Sequence, residues 1–298
     1  RGGARGRGAR GDDDEGRVTR MRVVDVTDPT DPLLDDLRDL NKSDRRPDLP
    51  GGRGLVIAEG TYVVGRMLLS RFRPHVMLGT DTRLGQLRRE AAAEGWDADE
   101  HARDAVYLRA SKDLISEVIG FRSSRDILAA ADRPEPLSVE SVVQGARTLV
   151  VLEGVNDPEN LGAIFRNCAA LGVDGVLFGA AVGDPLYRRV VRVSMGHVLR
   201  LPFAHLPGTP TTWQRSLEEL NDQGFRTVAL TPKADTALSR AVEAEKVAFL
   251  LGAEGPGLTE HAMKACSVRA AIPMTDGTDS LNVATAAAVA FYERAREG

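Results

Sequence analysis

The sequence "LLGAEGPGL" (residues 250–258) gives the first indication of the architecture, because a loop with three glycines directly follows an apolar run. That run, "VAFLL" (247–251), predicts a buried strand. The loop reads G-x-x-G-x-G, whereas a dinucleotide-binding turn reads G-x-G-x-x-G and lies near the beginning of its fold. Pro256 removes a backbone donor that a phosphate would use, and Glu254 would repel a phosphate. The loop therefore suits a ligand without a phosphate at this contact, although a tight β–α turn needs no ligand at all.

Short apolar runs and helical patterns alternate through the C-terminal half of the chain. Such runs are typical of a parallel sheet buried on both faces, so we predict an α/β domain at residues 147–298. Its strands are predicted at residues 148–155, 175–179, 199–204, 226–231, 247–252 and 269–274.

Residues 53–133 show the same alternation on a smaller scale and predict a small α/β domain. The stretch "DRPEPLS" contains two prolines and predicts a linker, which we place at residues 134–146. Residues 1–52 are rich in Arg and Gly and then in Asp and Pro, so we expect a disordered or extended segment with one short helical pattern. Residues 1–20 are either a functional tail that contacts RNA or an upstream extension before Met21.

The composition narrows the class of protein. With 298 residues and 42% apolar side chains, the chain is long enough to bury a large core. It contains no apolar run of transmembrane length and opens with no apolar signal segment, so we expect a cytoplasmic protein without a membrane partner. The two cysteines, Cys168 and Cys266, and the five scattered histidines lack metal-ligand spacing. We therefore expect buried thiols and no metal site.

Local charge is more informative than the formal net charge of −4, which gives no general signature of nucleic-acid binding. The stretch "YRRVVRVSMGHVLR" (187–200) carries Arg188, Arg189, Arg192 and Arg200 without any acidic residue. It predicts either an amphipathic segment with a solvated basic face or a patch that contacts RNA phosphates.

A helix is predicted in "NDPENLGAIFRNCAALG" (156–172), with Asn160 as its N-cap and its end at Gly172. Its apolar side chains form one stripe, and Arg166 points away from that stripe among small residues. Small residues allow another backbone to approach closely. The pattern therefore predicts either a second contact surface, such as a subunit interface, or a solvated arginine on an ordinary surface helix.

The stretch "IPMTDGTDSLNVATAAAVAFYE" (272–293) predicts the end of a strand, a turn-rich loop and a last helix. Ser280 or Asn282 is the predicted cap of that helix. The first turns are poor in charge and the body is rich in alanine, so we expect the helix to be buried on more than one side.

Three stretches, in their order along the chain, resemble the three motifs of the SpoU (TrmH) family of RNA ribose 2′-O-methyltransferases, which belongs to the knotted SPOUT class. They are "NDPENLGAIFRNCAALG", "LLGAEGPGL" and "IPMTDGTDSLNVATAAAVAFYE". The resemblance covers residues 147–298, and three separated motifs are far more specific than one. Residues 53–133 resemble the small RNA substrate-binding domain, similar to ribosomal protein L30e, that often precedes this catalytic domain.

The resemblance implies an α/β domain with a parallel sheet and a trefoil knot, which is a rare exception to un-knotted connections. It also implies S-adenosylmethionine (AdoMet) as the cofactor, held in the knot. AdoMet carries a sulfonium cation and no phosphate, in agreement with the proline and glutamate of the glycine loop. By resemblance, the AdoMet-binding residues are Leu230, Thr231, Gly252, Ala253, Glu254, Gly255, Gly257, Ile272, Pro273, Met274, Ser280, Leu281 and Asn282.

The implied reaction is methyl transfer to a ribose 2′-hydroxyl in structured RNA, with rRNA favoured over tRNA, by a homodimer formed through the knotted domain. The family assigns activation of the hydroxyl to the arginine matching Arg166. Because a guanidinium remains protonated in proteins, we expect it instead to grip the adjoining phosphate and orient the hydroxyl. By resemblance, the residues of the catalytic pocket are Asn160, Arg166, Glu254, Ser280 and Asn282.

Two other functions were compared with this one. An RNA-binding protein with the same fold and no catalysis is the alternative, and the presence of all five predicted catalytic residues argues against it. A nicotinamide-dependent oxidoreductase disagrees with the order of the glycines and with the position of the loop.

Overall fold

The structure, a computed structural model, describes residues 20–41, 54–275 and 280–297. Within these residues, twelve strands form two sheets. The strands are β1 (Arg22–Asp25), β2 (Val56–Glu59), β3 (Pro74–Gly79), β4 (Val106–Arg109), β5 (Ile127–Ala131), β6 (Thr148–Glu153), β7 (Gly175–Phe178), β8 (Phe203–His205), β9 (Phe225–Leu230), β10 (Thr236–Ala237), β11 (Lys246–Gly252) and β12 (Val268–Ala271). The α-helices are α1 (Thr61–Leu68), α2 (Asp81–Ala93), α3 (Ala98–His101), α4 (Lys112–Ile119), α5 (Val139–Val143), α6 (Pro158–Ala170), α7 (Arg188–Val193), α8 (Arg215–Asp222), α9 (Leu238–Ala241), α10 (Glu260–Ala265) and α11 (Val283–Glu297).

The first domain is a five-stranded sheet with the strand order β1-β4-β3-β5-β2. Strands β1, β4 and β3 are parallel, whereas β5 is antiparallel to both of its neighbours. Helices α1, α2 and α3 pack on one face of the sheet, and α4 packs on the other. The structure therefore contains the predicted small α/β domain.

The predicted beginning of this domain at residue 53 is wrong, because residues 22–40 already belong to it. Strand β1 lies beside β4, with Arg22 opposite Val106. The 3-10 helix Pro32–Leu37 follows, and the side chains of Leu34 and Leu37 are fully buried. Two leucines in an Asp-rich stretch give only a weak sequence signal, yet they fill the core beneath the sheet. Residues 1–19 and 42–53 lie outside the described residues, so disorder there stays a prediction.

The second domain is a seven-stranded sheet with the order β10-β12-β9-β11-β6-β7-β8, in which every pair is parallel. Helices α6, α7, α9 and α11 cover one face, and α5, α8 and α10 cover the other. Strand β6 is buried along its whole length. The predicted parallel sheet with apolar runs is thus present, and the carboxyl ends of β9, β11 and β12 meet at one edge.

The predicted linker at residues 134–146 is too long, because it includes helix α5. Ser138 caps this helix by accepting a hydrogen bond from the Ser141 backbone N–H at 3.1 Å. Val142 and Val143 are buried in the core of the second domain. The connection between the domains is therefore limited to residues 132–138.

Two predicted boundaries in the second domain are also corrected. Helix α6 begins at Pro158, and its N-cap is Asp157, whose carboxylate accepts from the backbone N–H groups of Glu159 and Asn160 at 3.0 and 2.9 Å. Proline suits the first helical position, so the helix begins before Asn160. The predicted strand 199–204 is shifted to β8, because the 3-10 helix His197–Leu199 occupies its first residue.

Cys168 is fully buried, whereas Cys266 keeps partial exposure. Burial raises the pKa of both thiols, that of Cys266 to about 12. Both are free in the described structure, and a raised pKa is typical of unreactive structural cysteines.

Part of the small-residue face of α6 is covered within the chain. Gly162 is buried against α7, where an added Cβ would lie 2.6 Å from the Cβ of Val193. Ala169 and Ala170, on the same helix, remain exposed. Only the C-terminal part of this face is therefore available to a second subunit.

Gly162→Ala is expected to destabilise the protein by about 1–3 kcal/mol, the usual cost of forcing a methylene into a packed core. Gly85→Ala in α2 is the matched control, because its methyl group would meet only the end of the Arg89 side chain at 3.3 Å. In a helix, alanine is favoured over glycine by about 0.5–1 kcal/mol. Urea unfolding measures both changes, and equal stability of the two variants would contradict the packing described.

Candidate cofactor and catalytic site

The glycine loop after β11 folds back onto itself. An added Cβ at Gly252 would lie 2.5 Å from backbone atoms of both Gly257 and Leu258, so no side chain fits there. The Gly257 backbone N–H donates to the Ala253 oxygen at 3.1 Å, which closes the turn. Gly255 and Gly257 have φ angles of 86° and 70°, in the region that favours glycine. The glycines are therefore needed for the shape of the loop itself.

The far end of this loop is held by a buried carboxylate. Glu153, at the end of β6, is 6% exposed and accepts hydrogen bonds from the Thr259 backbone N–H at 2.8 Å and from its hydroxyl at 2.9 Å. Thr259 is also the N-cap of α10. The loop is thus fixed between two central strands of the sheet and one helix.

A cavity of about 730 Å3 opens where the loops after β9, β11 and β12 meet the beginning of α11. All the predicted AdoMet-binding residues except Pro273 line it. The lining residues that were not predicted as AdoMet-binding are Pro232, Lys233, Leu251, Pro256, Leu258, Met263, Val283 and Ala286. Five of them lie within the second and third motifs. Met263 comes from α10, outside the motifs, so only the fold brings it to the cavity.

The side chain of Asn282 connects the three motifs. Its amide nitrogen donates to Oδ1 of Asn160 at 2.8 Å and to Oε1 of Glu254. Its oxygen accepts from the backbone N–H groups of Ala284 and Thr285 at 3.0 and 3.2 Å, which caps α11. Every polar atom of this amide has a partner, so its orientation is determined.

The predicted catalytic residues fall into two groups. Asn160, Glu254 and Asn282 are hydrogen-bonded together, and Ser280 lines the same cavity. Arg166 lies outside this group: it is exposed on α6 and is absent from the cavity lining in the part of the chain that the structure describes. The loop at residues 276–279 lies outside the described residues.

The predicted RNA-contacting arginines have different surroundings. Arg188 joins the two domains: its guanidinium pairs with the buried Glu59 at 2.5 Å, donates to Asn41 at 3.0 Å and lies over the Phe121 ring. Arg189 pairs with Glu159 at the surface. Because the Arg188 guanidinium is already occupied by these contacts, we do not assign an RNA phosphate to Arg188.

Arg188→Ala should lower the free energy of unfolding by about 2–3 kcal/mol. Breaking a fully buried ion pair costs somewhat more, about 3–5 kcal/mol. Arg188 keeps 20% side-chain exposure, which accounts for the smaller value. Arg189→Ala is the matched control, because an exposed pair is worth about 0–1 kcal/mol. Thermal unfolding measures the difference. An unchanged melting temperature in Arg188→Ala, together with a reduced salt dependence of RNA binding, would instead favour the phosphate contact.

The second domain matches the family model described as the SpoU rRNA Methylase family over residues 147–292. A protein of Mycobacterium tuberculosis named as an uncharacterized tRNA/rRNA methyltransferase is 55% identical over 293 residues, which cover 95% of this chain and 97% of that protein. The 23S rRNA (guanosine-2′-O-)-methyltransferase RlmB of Shewanella oneidensis is 30% identical over 217 residues, or 73% of this chain and 85% of RlmB. The chain therefore belongs to the SpoU rRNA methylase family.

Solved structures share the fold. An AdoMet-bound rRNA methyltransferase from Sinorhizobium meliloti superposes with a TM-score of 0.71 at 24% identity, over 92% of this chain and 98% of that one. The SpoU methyltransferase AviRb from Streptomyces viridochromogenes, in complex with AdoMet, gives 0.71 at 20% identity, over 89% and 98%. The predicted α/β fold of the SpoU/SPOUT class is thus confirmed. The similarity of the first domain to ribosomal protein L30e stays a prediction.

The structure of the described residues gives two facts about membrane and metal partners. None of their helices is both long enough and apolar enough to cross a bilayer. No group of three or more His, Cys, Asp and Glu side chains among them is arranged to hold a metal ion.

The two roles of Asn282 can be separated by substitution. Asn282→Ser keeps a capping oxygen for α11 but is too short to bridge Asn160 and Glu254, whereas Asn282→Ala loses both roles. Asn282→Ala should therefore be less stable than Asn282→Ser by about 1 kcal/mol, the usual value of an N-cap. Denaturant unfolding checks this difference, and identical stabilities would show that the cap contributes nothing.

Proposed function

We propose that this protein transfers a methyl group from AdoMet to a ribose 2′-hydroxyl in structured RNA, with rRNA favoured over tRNA. The main support is the contact of Asn282 with Asn160 and Glu254 beside the cavity, since it joins all three family motifs at one place. The identity to a 23S rRNA (guanosine-2′-O-)-methyltransferase supports a ribose as the acceptor.

The cavity fits AdoMet in size and chemistry. Its volume lies within the about 300–1,000 Å3 that is usual for small-molecule pockets. Leu230, Ile272 and Leu281 offer apolar surface for the adenine, and Gly252 offers backbone groups. The Glu254 carboxylate suits a sulfonium cation, which a phosphate-binding loop would not. When bound, AdoMet supplies the electrophilic methyl group.

A ribose hydroxyl is a weak nucleophile, so the reaction depends on its alignment and on transfer of its proton to water as the bond to the methyl carbon forms. Asn282 cannot rotate freely, because its amide is bound on both sides. In the proposed mechanism Asn160 and Ser280 orient the nucleotide by hydrogen bonds, and Asn282 positions Asn160 and the glycine loop. Glu254 accepts from Asn282 and thereby keeps the glycine loop in register with α6 and α11.

Arg166 grips the phosphate next to the reacting ribose in this proposal. Because arginine side chains are cationic in proteins, it serves as a clamp rather than as a base. Its exposure on α6 leaves it accessible to RNA. Arg189 and Arg192 on α7 would add contacts to neighbouring phosphates.

A homodimer formed through the second domain is part of the proposal. Val289 and Tyr292 on α11 are 38% and 58% exposed, and they lie on a helix that packs against α6 with its exposed Ala169 and Ala170. The exposure of Val289 and Tyr292 corrects the expectation that α11 is buried on more than one side, because these side chains are not covered by the described chain. A second copy would cover them. A cytoplasmic location and the trefoil knot remain parts of the same proposal.

The alternative function is an RNA-binding protein with the same fold and no catalysis. It predicts AdoMet binding without methyl transfer to any RNA. The hydrogen-bonded group of Asn160, Glu254 and Asn282 argues for an enzyme, because RNA binding alone does not need these residues beside the cavity.

Methyl incorporation from labelled AdoMet into total RNA of a strain that lacks the gene tests the proposal. Label in an alkali-resistant dinucleotide would identify 2′-O-methylation. Arg166→Ala should lower kcat/KM by about 100-fold, the effect of misplacing a reacting group by about 1 Å. Arg240→Ala, on the exposed surface of α9, should leave kcat/KM unchanged. AdoMet binding without label in rRNA or tRNA would contradict the proposal.

A further inference from the structure

The junction of the two domains contains a second cavity, of about 100 Å3. We call it the junction cleft. It is lined by Tyr62 and Arg66 of α1, by Glu94 and Trp96 at the end of α2, and by Arg200 of the second domain. It shares no lining residue with the proposed AdoMet cavity, and the mechanism above uses none of these side chains.

Arg66 connects the two walls of the junction cleft. Its guanidinium donates to the backbone oxygen of Met195 in the second domain. Met195 and Gly196 have φ angles of 55° and 80°, and an added Cβ at Gly196 would lie 3.1 Å from Cγ1 of Val63. A positive φ at a residue other than glycine persists only where surrounding contacts determine it. The junction is therefore a tightly determined contact.

Positive charge is concentrated beside the cleft. Burial, followed by the charges of Arg66, Arg200 and Arg166, lowers the pKa of His197. Burial and then Arg200 likewise lower the pKa of Arg66. Arg166 and Arg200 are exposed, and neither forms an ion pair with another described residue. On the side of Arg166 and Arg200, the part of the chain that the structure describes supplies no ion-pairing carboxylate.

Two carboxylates, Glu90 and Glu94, lie on the opposite wall and both are engaged, since Glu90 accepts a hydrogen bond from the Gln86 amide at 2.7 Å. Glu94 accepts a hydrogen bond from the Trp96 ring nitrogen at 3.2 Å. It raises the pKa of Arg66, against the stronger effects of burial and Arg200. An anion would therefore bind on the side of Arg200 and Arg166, away from Glu94.

An exposed aromatic side chain stands at the same place. Tyr62 is 58% exposed and lies four residues before Arg66, on the same face of α1. Proteins that bind single-stranded RNA commonly place an exposed aromatic ring beside guanidinium groups. A base stacks on the ring and a phosphate contacts the arginines. The cavity is too small for a whole free nucleotide, for which pockets of about 300 Å3 or more are usual.

We propose that the junction cleft binds the backbone of the RNA substrate, with Arg200 and Arg66 on a phosphate and Tyr62 stacked on an adjacent base. This inference rests on the proposed function, because it names a second place where the same RNA is held. Arg166 acts electrostatically on the same group, because its charge contributes to lowering the pKa of both Arg66 and His197. The RNA would thus be gripped at the first domain and led to the reacting ribose.

Binding of a labelled single-stranded oligouridine of about 20 nucleotides, measured between about 50 and 200 mM salt, tests the inference. Tyr62→Ala should weaken binding by about 10-fold without changing its salt dependence, whereas Tyr62→Phe keeps the ring and should bind like the wild type. Arg200→Gln should reduce the slope of log K against log salt by about 0.7, the value of one phosphate contact on a single strand. Arg240→Gln, on the exposed surface of α9, is its charge-matched control.

The cofactor site serves as the internal reference, so AdoMet affinity should stay within about twofold in all four variants. Unchanged RNA binding in Tyr62→Ala and Arg200→Gln would overturn the inference. So would a parallel loss of AdoMet binding, or displacement of the RNA by poly-glutamate at equal charge, which would assign the cleft to an acidic protein. Methyl transfer by the wild type is measured separately. If the wild type methylates no RNA but the cleft variants lose RNA affinity, the proposed methyltransferase function is wrong and the proposed RNA binding at the junction cleft is supported.

Discussion

The amide of Asn282 is the point on which the arrangement of the second domain depends. Its oxygen accepts hydrogen bonds from two backbone N–H groups in the first turn of α11. Its nitrogen donates to Asn160 of α6 and to Glu254 of the glycine loop. Asn160 and Glu254 lie 122 and 28 residues before Asn282 in the sequence. The segments that carry these three residues are thereby held in one geometry. Neither aspartate nor glutamine could replace it, since one lacks the donor and the other alters the reach.

The parallel sheet explains why these segments can meet. In such a sheet the loops that follow the strands lie at one edge, so residues distant in sequence become neighbours. Strand periodicity predicted most strands of the second domain. The resemblance to the SpoU family, and not the periodicity, indicated twelve of the twenty described residues that line the cavity. Motif residues can be recognised in the sequence because each follows a predicted strand or stands at the start of a predicted helix.

Features that depend on distant contacts were missed for a physical reason. The Arg188–Glu59 pair joins residues 129 positions apart, and nothing beside Arg188 in the sequence distinguishes it from a solvated basic residue. The 3-10 helix at Pro32–Leu37 is likewise recognisable only from the sheet that covers Leu34 and Leu37. Asn160 is the predicted cap of α6 and Asp157 was missed, although the following Pro158 is favoured in the first helical turn.

The close approach within the glycine loop has a consequence for how the protein can vary. Because Gly252 faces the backbone of Gly257 and Leu258 directly, that part of the cavity wall consists of main-chain atoms. A wall of this kind presents the same amide and carbonyl groups whatever side chains surround it. The side chains around this wall can therefore change over evolutionary time while its main-chain groups stay the same. Small-molecule recognition at this wall is thus encoded in chain shape, and RNA recognition is left to side chains that can diverge independently.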